Sequence, residues 1–211
     1  MSDFHQNGVI STLHNLSNRS LDDIEKELRE YSKDAPIELI LPSLYSELEG
    51  AALKNIVSCL SDVKYLNHIT IGLDKANKSE FIKAKKFFSN LNQPHSVIWN
   101  DSPNMKKLDK DFKKLGIAPN QSGKGKNVWY CLGYTYSRNE AGSVALHDCD
   151  ITTYNRELLA RLVYPVSNPH FNYEFCKGYY PRIREGTLSG RVTRLLVTPL
   201  LKTFKKVLGH R

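Results

Sequence analysis

Residues 37–41 read IELIL directly after Pro36, and they form the clearest strand pattern in the sequence. Three further short apolar stretches resemble it, at 68–73 (HITIGL), 95–99 (HSVIW) and 144–146 (VAL). Helical patterns separate these stretches, at 47–60, at 77–91, at 104–115 and from 122–126 to about Ser137. Strands that alternate with helices indicate a mostly parallel sheet covered on both faces. We therefore expect an α/β fold.

A capped helix precedes the first strand, and a less regular region follows the last one. Ser20 suits the N-cap of the stretch SLDDIEKELREYS, with Asp23 three residues later. Near the end of the chain, an apolar and basic segment through Leu208 fits an amphipathic helix that Pro199 either interrupts or begins. We expect one domain over residues 1–211, made of a helical extension (1–35), a core (36–151) and a further region (152–211).

Composition excludes several classes of protein. Hydrophobic residues make up 40% and charged residues 25% of the 211 positions, which is typical of a globular chain. No apolar run approaches the roughly 18 residues of a spanning helix, and the N-terminus has no signal-peptide core. We therefore expect a cytoplasmic protein without stable membrane insertion. The four cysteines contain no CxxC pair, which favours reduced core thiols over zinc or disulfides.

Positive charge is concentrated at the end of the chain. The formal net charge is +8, and residues 181–211 contain eight Lys or Arg against the single acid Glu185. Such a segment fits a phosphorylated small molecule, nucleic acid or an anionic membrane, and equally a solvated helix face. Because aromatic residues do not alternate with the basic ones, a stacking platform for nucleic acid is disfavoured, and we expect no nucleic-acid partner.

The motif Asp148-Cys149-Asp150 follows the fourth apolar stretch. Alternate residues of an extended segment point the same way, so both carboxylates are expected to face one cleft. Paired carboxylates suit Mg²⁺ or Mn²⁺ shared with the phosphate oxygens of a substrate. A capped turn at a strand end is the alternative interpretation. His147 beside the motif is interpreted as a packing residue.

Three further segments offer groups for a phosphorylated ligand. Residues 123–126 (GKGK) open a helix, where backbone N–H groups and the helix dipole favour an anion, although a solvated loop also fits. Strand exits at 41–47 (LPSLYSE) and at 72–74 (GLD) suit a base or a ribose. In the segment 190–193 (GRVT), Arg191 offers a planar fork for a phosphate or carboxylate.

Four motifs together resemble the glucosyl-3-phosphoglycerate synthases, which are retaining glycosyltransferases of the GT-A fold. They are GKGKNVW at 123–129, HDCDI at 147–151, FCKGYY at 175–180 and GRVTRLLVTPLL at 190–201. The resemblance extends over nearly the whole chain. It implies transfer of glucose from UDP- or GDP-glucose to 3-phosphoglycerate, with Mg²⁺ or Mn²⁺ as cofactor, in the synthesis of a compatible solute.

The resemblance also implies roles for individual residues. It places Asp148 and Asp150 at the ribose and the metal, and Lys124 against the donor; these three are the expected catalytic residues. The remaining donor contacts are Pro42, Leu44, Glu47 and Asp74. The expected acceptor loop contains Gly190, Arg191 and Thr193.

This sequence departs from the resemblance at its end. Members of the family continue further, and their later segment supplies a histidine metal ligand, an arginine near the diphosphate and more acceptor contacts. His210 does not match that motif. The resemblance therefore implies a fragment or a short product, with a nucleotide-sugar-binding but inactive chain as the first alternative. A basic nucleic-acid or membrane-surface binder is the second, and a homodimer is compatible with either.

Overall fold

The computed structural model describes residues 18–171, 173–178, 182–184, 187–189 and 196–208. Two compact units are present in the chain. The larger unit comprises Arg19–Cys176, and the smaller comprises Met1–Asn18 and Lys177–Arg211. The domain division expected from the sequence (1–35, 36–151 and 152–211) stays a prediction.

A four-stranded parallel sheet forms the centre of the larger unit. Its strands are β1 (Ile37–Leu44), β2 (Leu66–Asp74), β3 (His95–Trp99) and β4 (Ser143–Leu146), in the order β3-β2-β1-β4. Leu44 pairs with Asp74 at the carboxyl ends of β1 and β2, while Ile40 pairs with Leu146 at the end of β4. The chain therefore adds β2 and β3 on one side of β1 and then returns to add β4 on the other side of β1.

Helices surround this sheet and connect its strands. They are α1 (Leu21–Asp34), α2 (Ala51–Ser61), α3 (Lys78–Phe88), α4 (Pro103–Lys114), α5 (Lys124–Arg138) and α6 (Arg156–Ser167), with a short 3₁₀ helix at Tyr45–Glu49. Their starts follow from local capping. The side chains of Ser20, Asn77, Ser102 and Asn155 each accept a backbone N–H in the first turn of a helix.

The core lies on both sides of β1 and β2, whose residues are buried along nearly their whole length. This explains why these strands read as continuous apolar runs rather than as alternating patterns. Fully buried members from the strands and from α1 and α2 include Leu39, Ile40, Leu41, Ile69, Ile71, Leu28, Leu53 and Ile56. The α/β fold predicted from the sequence is thus observed.

The smaller unit contains three short elements among its described residues. Strands β5 (Arg182–Arg184) and β6 (Thr187–Ser189) pair antiparallel. Helix α7 (Thr198–Leu208) begins with Pro199 in its first turn, as one of the two interpretations of that proline predicted. Within the described part of the chain, no helix has both the length and the hydropathy to cross a membrane.

Several local predictions need correction. The single helix expected at 47–60 is divided, because the 3₁₀ helix ends at Glu49, Gly50 lies between the two helices, and α2 begins at Ala51. Helix α6 was not predicted; Pro165 inside it obscures the pattern, although Asn155 caps it normally. The hairpin of β5 and β6 was also not predicted, because its strands have only three residues each.

Candidate functional site: the carboxyl edge between β1 and β4

The predicted donor residues gather at one edge of the sheet. Strand β1 is followed along the chain by β2 on one side, whereas β4 on its other side is reached only after α5. In open α/β sheets, ligands bind beyond the carboxyl ends of the strands where the winding reverses. Pro42 and Leu44 lie at the end of β1, Asp74 at the end of β2, and Asp148 just after β4.

The turn after β4 separates buried residues from accessible ones. His147 and Cys149 are buried, whereas Asp148 is half-exposed and Asp150 is exposed. Cys149 and Asp150 lie in a turn rather than in the extended segment expected from the sequence. The alternation of burial nevertheless leaves both carboxylates accessible on the outside of this turn.

Buried contacts hold the turn in place. His147 Nδ1 and Tyr154 OH share a hydrogen bond of 3.1 Å, and their rings meet edge to face. Asn55 Nδ2 of α2 donates to Tyr154 O at 2.9 Å. Burial lowers the pKa of His147 to about 4, so its ring is neutral at physiological pH. The prediction that His147 is a packing residue agrees with this position.

Lys124 is the residue that joins helix α5 to the aspartate motif. Its Nζ lies 2.6 Å from Asp148 Oδ1, with 53% of the lysine side chain and 43% of the aspartate side chain exposed. The two residues are far apart in sequence and meet because α5 begins at the same sheet edge at which β4 ends. The structure therefore brings together two residues that the motifs predicted separately.

The first turn of α5 presents backbone donors near this ion pair. Gly123 is the N-cap and has φ +128°, a conformation that favours glycine. The N–H groups of Lys126 and Asn127 donate to Gly123 O. Those of Lys124 and Gly125 precede the first intrahelical bonds, so they remain available to an anion.

Asn127 fixes this turn to the sheet. Its side chain is 3% exposed, and Nδ2 donates to Gly72 O of β2 at 2.8 Å. The approach is close enough that a Cβ on Gly72 would lie 1.8 Å from Asn127 Oδ1. Gly72 is thus required by the contact of α5 with β2, and sequence analysis had noted it only as part of a strand exit.

The exit from β1 is shaped by Glu47, which the resemblance places in the nucleoside pocket. Its Oε2 accepts hydrogen bonds from Leu44 N at 2.9 Å and from Ser43 Oγ at 3.1 Å. One carboxylate oxygen therefore caps the 3₁₀ helix at the site. Pro42 is buried in the strand, while Leu44 is half-buried at its end.

Asp74 ends β2 with its carboxylate held by neighbouring amides. Asn100 Nδ2 donates to Asp74 Oδ1 at 2.8 Å. Burial raises the pKa of Asp74, and the hydrogen bonds from Asn100 and Asn127 oppose that rise. Neither asparagine was assigned a role from the sequence, since Asn100 follows a strand as an ordinary loop residue and Asn127 lies inside the helical pattern of α5.

The remaining predicted residues are those of the expected acceptor loop. Gly190, Arg191 and Thr193 are outside the described residues. A cavity of about 460 Å³, lined by residues such as Cys59, Asn155 and Arg156, contains none of the predicted site residues. The donor residues instead form an open edge, with Asp148 and Lys124 half-exposed.

The residues at this edge fit a divalent metal whose coordination is completed by the phosphates of a bound substrate. Asp148 and Asp150 present accessible carboxylates, which are the oxygen donors that Mg²⁺ and Mn²⁺ prefer. Over the ranges that the structure describes, no three His, Cys, Asp or Glu side chains are grouped to hold a metal by themselves. Such a site resembles those in which the metal keeps waters and substrate phosphates as ligands.

Comparison with known proteins gives relatives of one kind. No protein-family model matches the chain. The chain is 48% identical over 209 residues to glucosyl-3-phosphoglycerate synthase of Persephonella marina, a match that covers 99% of this chain and 52% of that protein. The synthase of Methanococcoides burtonii is 37% identical over 206 residues, with 96% of this chain and 50% of that protein covered. The chain thus spans about half the length of the curated relatives it matches.

Solved structures give the same kind of match. The Mycobacterium tuberculosis synthase in complex with Mn²⁺, UDP and glucosyl-3-phosphoglycerate superposes with a TM-score of 0.51 and 20% identity, covering 94% of this chain and 58% of that chain. Its complex with phosphoglyceric acid gives 0.50 and 19%, with 88% and 56% covered. At these identities the likeness concerns the fold, and it confirms the predicted α/β architecture. The resemblance read from the motifs is also confirmed: over nearly its whole length, the chain is similar to about half of a glucosyl-3-phosphoglycerate synthase.

Proposed function

We propose that this chain forms the donor-binding part of a metal-dependent glucosyltransferase, which moves glucose from a nucleoside diphosphate glucose to 3-phosphoglycerate with retention. The observation that carries the proposal is the 2.6 Å contact between Lys124 Nζ and Asp148 Oδ1. It places a cation, a helix N-terminus and the aspartate motif at the sheet edge where α/β proteins bind nucleotides. The curated relatives support the choice of reaction.

Asp148 and Asp150 are the groups that would hold Mn²⁺ or Mg²⁺, and Asp148 would also contact the ribose. When bound, the metal supplies a Lewis acid that stabilises negative charge on the diphosphate. The burial of His147 and Cys149 favours this assignment, because it fixes the backbone that carries the two accessible carboxylates. A turn anchored in this way holds its carboxylates in place before the ligand arrives.

Lys124 and the first amides of α5 would stabilise the leaving group. In the reaction, the bond between glucose C1 and the diphosphate oxygen breaks, and its electron pair goes to the diphosphate. A hydroxyl oxygen of 3-phosphoglycerate forms the new bond to C1 from the same face, and its proton passes to the departing diphosphate oxygen. Fixed positive groups at the diphosphate lower the activation barrier of the transfer, because they need no reorganisation as negative charge develops on the leaving group.

The nucleoside would lie across the ends of β1 and β2. Leu44 and Asp74 are paired in the sheet register, so they are neighbours at this edge. Leu44, which is half-buried at the end of β1, offers apolar contact, and Asp74 offers a hydrogen-bond acceptor to the N–H groups of uracil or guanine. Gly190, Arg191 and Thr193 are proposed to bind the phosphate and carboxylate of the acceptor, since Arg offers a planar fork for either group.

Turnover tests this proposal. Nucleotide release is measured from UDP-glucose and GDP-glucose with Mn²⁺ or Mg²⁺, with and without 3-phosphoglycerate, and the sugar product is identified by mass spectrometry. Asp150→Asn is the test variant. Asp34→Asn is the matched control, because Asp34 is exposed at the end of α1, just before β1 begins at the opposite edge of the sheet.

Release that requires both metal and 3-phosphoglycerate, and that Asp150→Asn abolishes, is the expected result. Metal-dependent binding of UDP or GDP without any transfer would instead make the chain a nucleotide-sugar-binding protein, which is the alternative to turnover. If neither UDP nor GDP binds with either metal, the proposal is wrong.

A further inference from the structure

Asp109 of α4 is at the centre of a half-buried ionic cluster outside the donor site. Its Oδ1 lies 2.5 Å from Lys126 Nζ and accepts a hydrogen bond of 2.6 Å from Tyr130 OH. Its Oδ2 lies 3.0 Å from Lys113 Nζ. Only 17% of the Asp109 side chain is exposed. Two of its three partners come from α5, so this carboxylate links α4 to the helix that bears Lys124.

Both oxygens of the Asp109 carboxylate have partners in this cluster, and these partners favour its charged form. Hydrogen bonds from Lys126, which has the larger effect, and from Tyr130 hold the pKa of Asp109 well below its usual range. Lys126 is 19% exposed, and its ammonium also lies 5.9 Å from the centroid of the Tyr130 ring. An ion pair shielded in this way is screened less than a surface pair. Asp109 thus remains ionised over the pH range in which proteins are normally studied.

Helix α4 has few other means of attachment. It contains no fully buried residue. Besides the cluster, Phe112 meets Trp129 of α5 edge to face, with ring centroids 5.7 Å apart. A helix without a buried apolar face depends on such specific contacts, because hydrophobic burial contributes little to holding it.

The side chains in the first turn of α5 extend in three directions. Lys124 contacts Asp148, Lys126 contacts Asp109, and Asn127 contacts Gly72 O. Residues two positions apart on a helix point to different sides. Lys126 is therefore held away from the donor edge, while Lys124 is directed towards it. The sequence shows two lysines in one glycine-rich motif, but only one of them is directed to the site.

We propose that Asp109 is a positioning residue for donor binding: by holding Lys126 and Tyr130, it fixes the first turn of α5 so that Lys124 meets the diphosphate beside Asp148. The proposal rests on the proposed function for the identity of the ligand. Loss of the clamp leaves the first turn of α5 held to the sheet through Asn127, and Lys124 then spends part of its time away from the bound geometry. Apparent affinity falls with the fraction of competent molecules.

A double-mutant cycle tests whether Asp109 acts through Lys124. UDP affinity in the presence of Mn²⁺ is measured by titration calorimetry for wild type, Asp109→Asn, Lys124→Met and the double variant. Asp109→Asn is expected to weaken UDP binding about threefold or more in wild type, and by less than about twofold when Lys124 is already absent. Equal losses in both backgrounds, or no loss in wild type, overturn the proposal.

Lys113→Met is the matched control, because it removes a cation from the same carboxylate without altering α5. It is expected to leave UDP affinity unchanged, and a loss equal to that of Asp109→Asn would contradict the argument. Tyr130→Phe removes the second bond from α5 to Asp109 and should weaken binding in the same direction as Asp109→Asn.

Hydrogen exchange of the amides at 126–128, which are the first to be bonded within the helix, gives a readout that needs no ligand. Asp109→Asn should speed this exchange, whereas Lys113→Met should not; unchanged exchange in Asp109→Asn overturns the positioning role. If wild type binds GDP rather than UDP, the same cycle is measured with GDP. If it binds neither nucleotide, the proposed function fails, and the exchange result alone then decides the inference.

Discussion

Gly72→Ala is predicted to destabilise the protein by forcing α5 away from β2. A Cβ at this position would lie 1.8 Å from Asn127 Oδ1 and 2.5 Å from Cys131 Sγ. Neither side chain can move into solvent, because Asn127 is 3% and Cys131 is 0% exposed. Relief of the overlap therefore requires that the helix itself shift.

The expected cost has two parts. Overpacking of a well-filled interior costs about 1–3 kcal/mol. Separation of the helix from the strand also loses the hydrogen bond of 2.8 Å from Asn127 Nδ2 to Gly72 O, which contributes about 1 kcal/mol. The free energy of unfolding should therefore fall by about 2–4 kcal/mol. Because Lys124 begins the same helix, UDP affinity should fall as well.

Urea unfolding followed by circular dichroism measures this effect. Gly133→Ala is the matched control: Gly133 lies on α5 with nothing within 4 Å of its added Cβ, so alanine should stabilise the protein by about 0.4–1 kcal/mol. In the double variant Gly72→Ala with Asn127→Ala, the two losses in the free energy of unfolding should not add. Asn127→Ala removes the Oδ1 atom that a Cβ added at Gly72 would overlap. A free energy of unfolding for Gly72→Ala within about 0.5 kcal/mol of wild type would refute the reasoning.

Two further predictions concern charged pairs. Lys124→Met should raise the affinity for Mn²⁺ alone by up to about fivefold, because the ammonium no longer competes for Asp148, while UDP affinity with Mn²⁺ falls; calorimetry measures both, and weaker binding of Mn²⁺ alone would contradict the pairing. Hydrogen bonds from Arg19 and Tyr164 lower the pKa of Glu27 from 4.5 to about 2. A lowered folded-state pKa gives stability that is present above pH 4.5 and lost as the pH falls towards 2. The urea midpoints of Glu27→Gln and wild type should therefore differ at pH 7 and converge over that interval, whereas a constant difference would contradict the assignment.

The parts of the fold that the sequence predicts are those with a local pattern. Strands β1 to β3 each contain a short, mainly apolar stretch, and helix α1 has its own capping signal, so each can be predicted without knowledge of the rest of the chain. The division at Gly50 was missed because Glu47 caps a 3₁₀ helix through contacts with Ser43 and Leu44 that the helical spacing does not show. In α6, Asn155 followed by the core residues Leu159 and Val163 was the signal that could have found the helix.

The location of the donor site could be predicted from the sequence, but the contacts between its residues could not. The rule that ligands bind beyond strand ends brings Lys124 and Asp148 to one edge without any coordinates. The supporting residues are different: Asp109 and Lys126 lie on separate helices, and their contact depends on how those helices pack. Sequence spacing carries no information on such a contact. The tertiary structure was therefore needed to distinguish the role of Lys126 from that of Lys124.

The most direct test of the account is whether Asp148 and Asp150 hold a metal together with a nucleotide. Electron paramagnetic resonance of Mn²⁺ measures its bound fraction with and without UDP, in wild type, Asp148→Asn, Asp150→Asn and the control Asp34→Asn. The account predicts that UDP increases Mn²⁺ binding in wild type and in the control, and that either site variant loses this increase. Equal, UDP-dependent Mn²⁺ binding in all four proteins would contradict it.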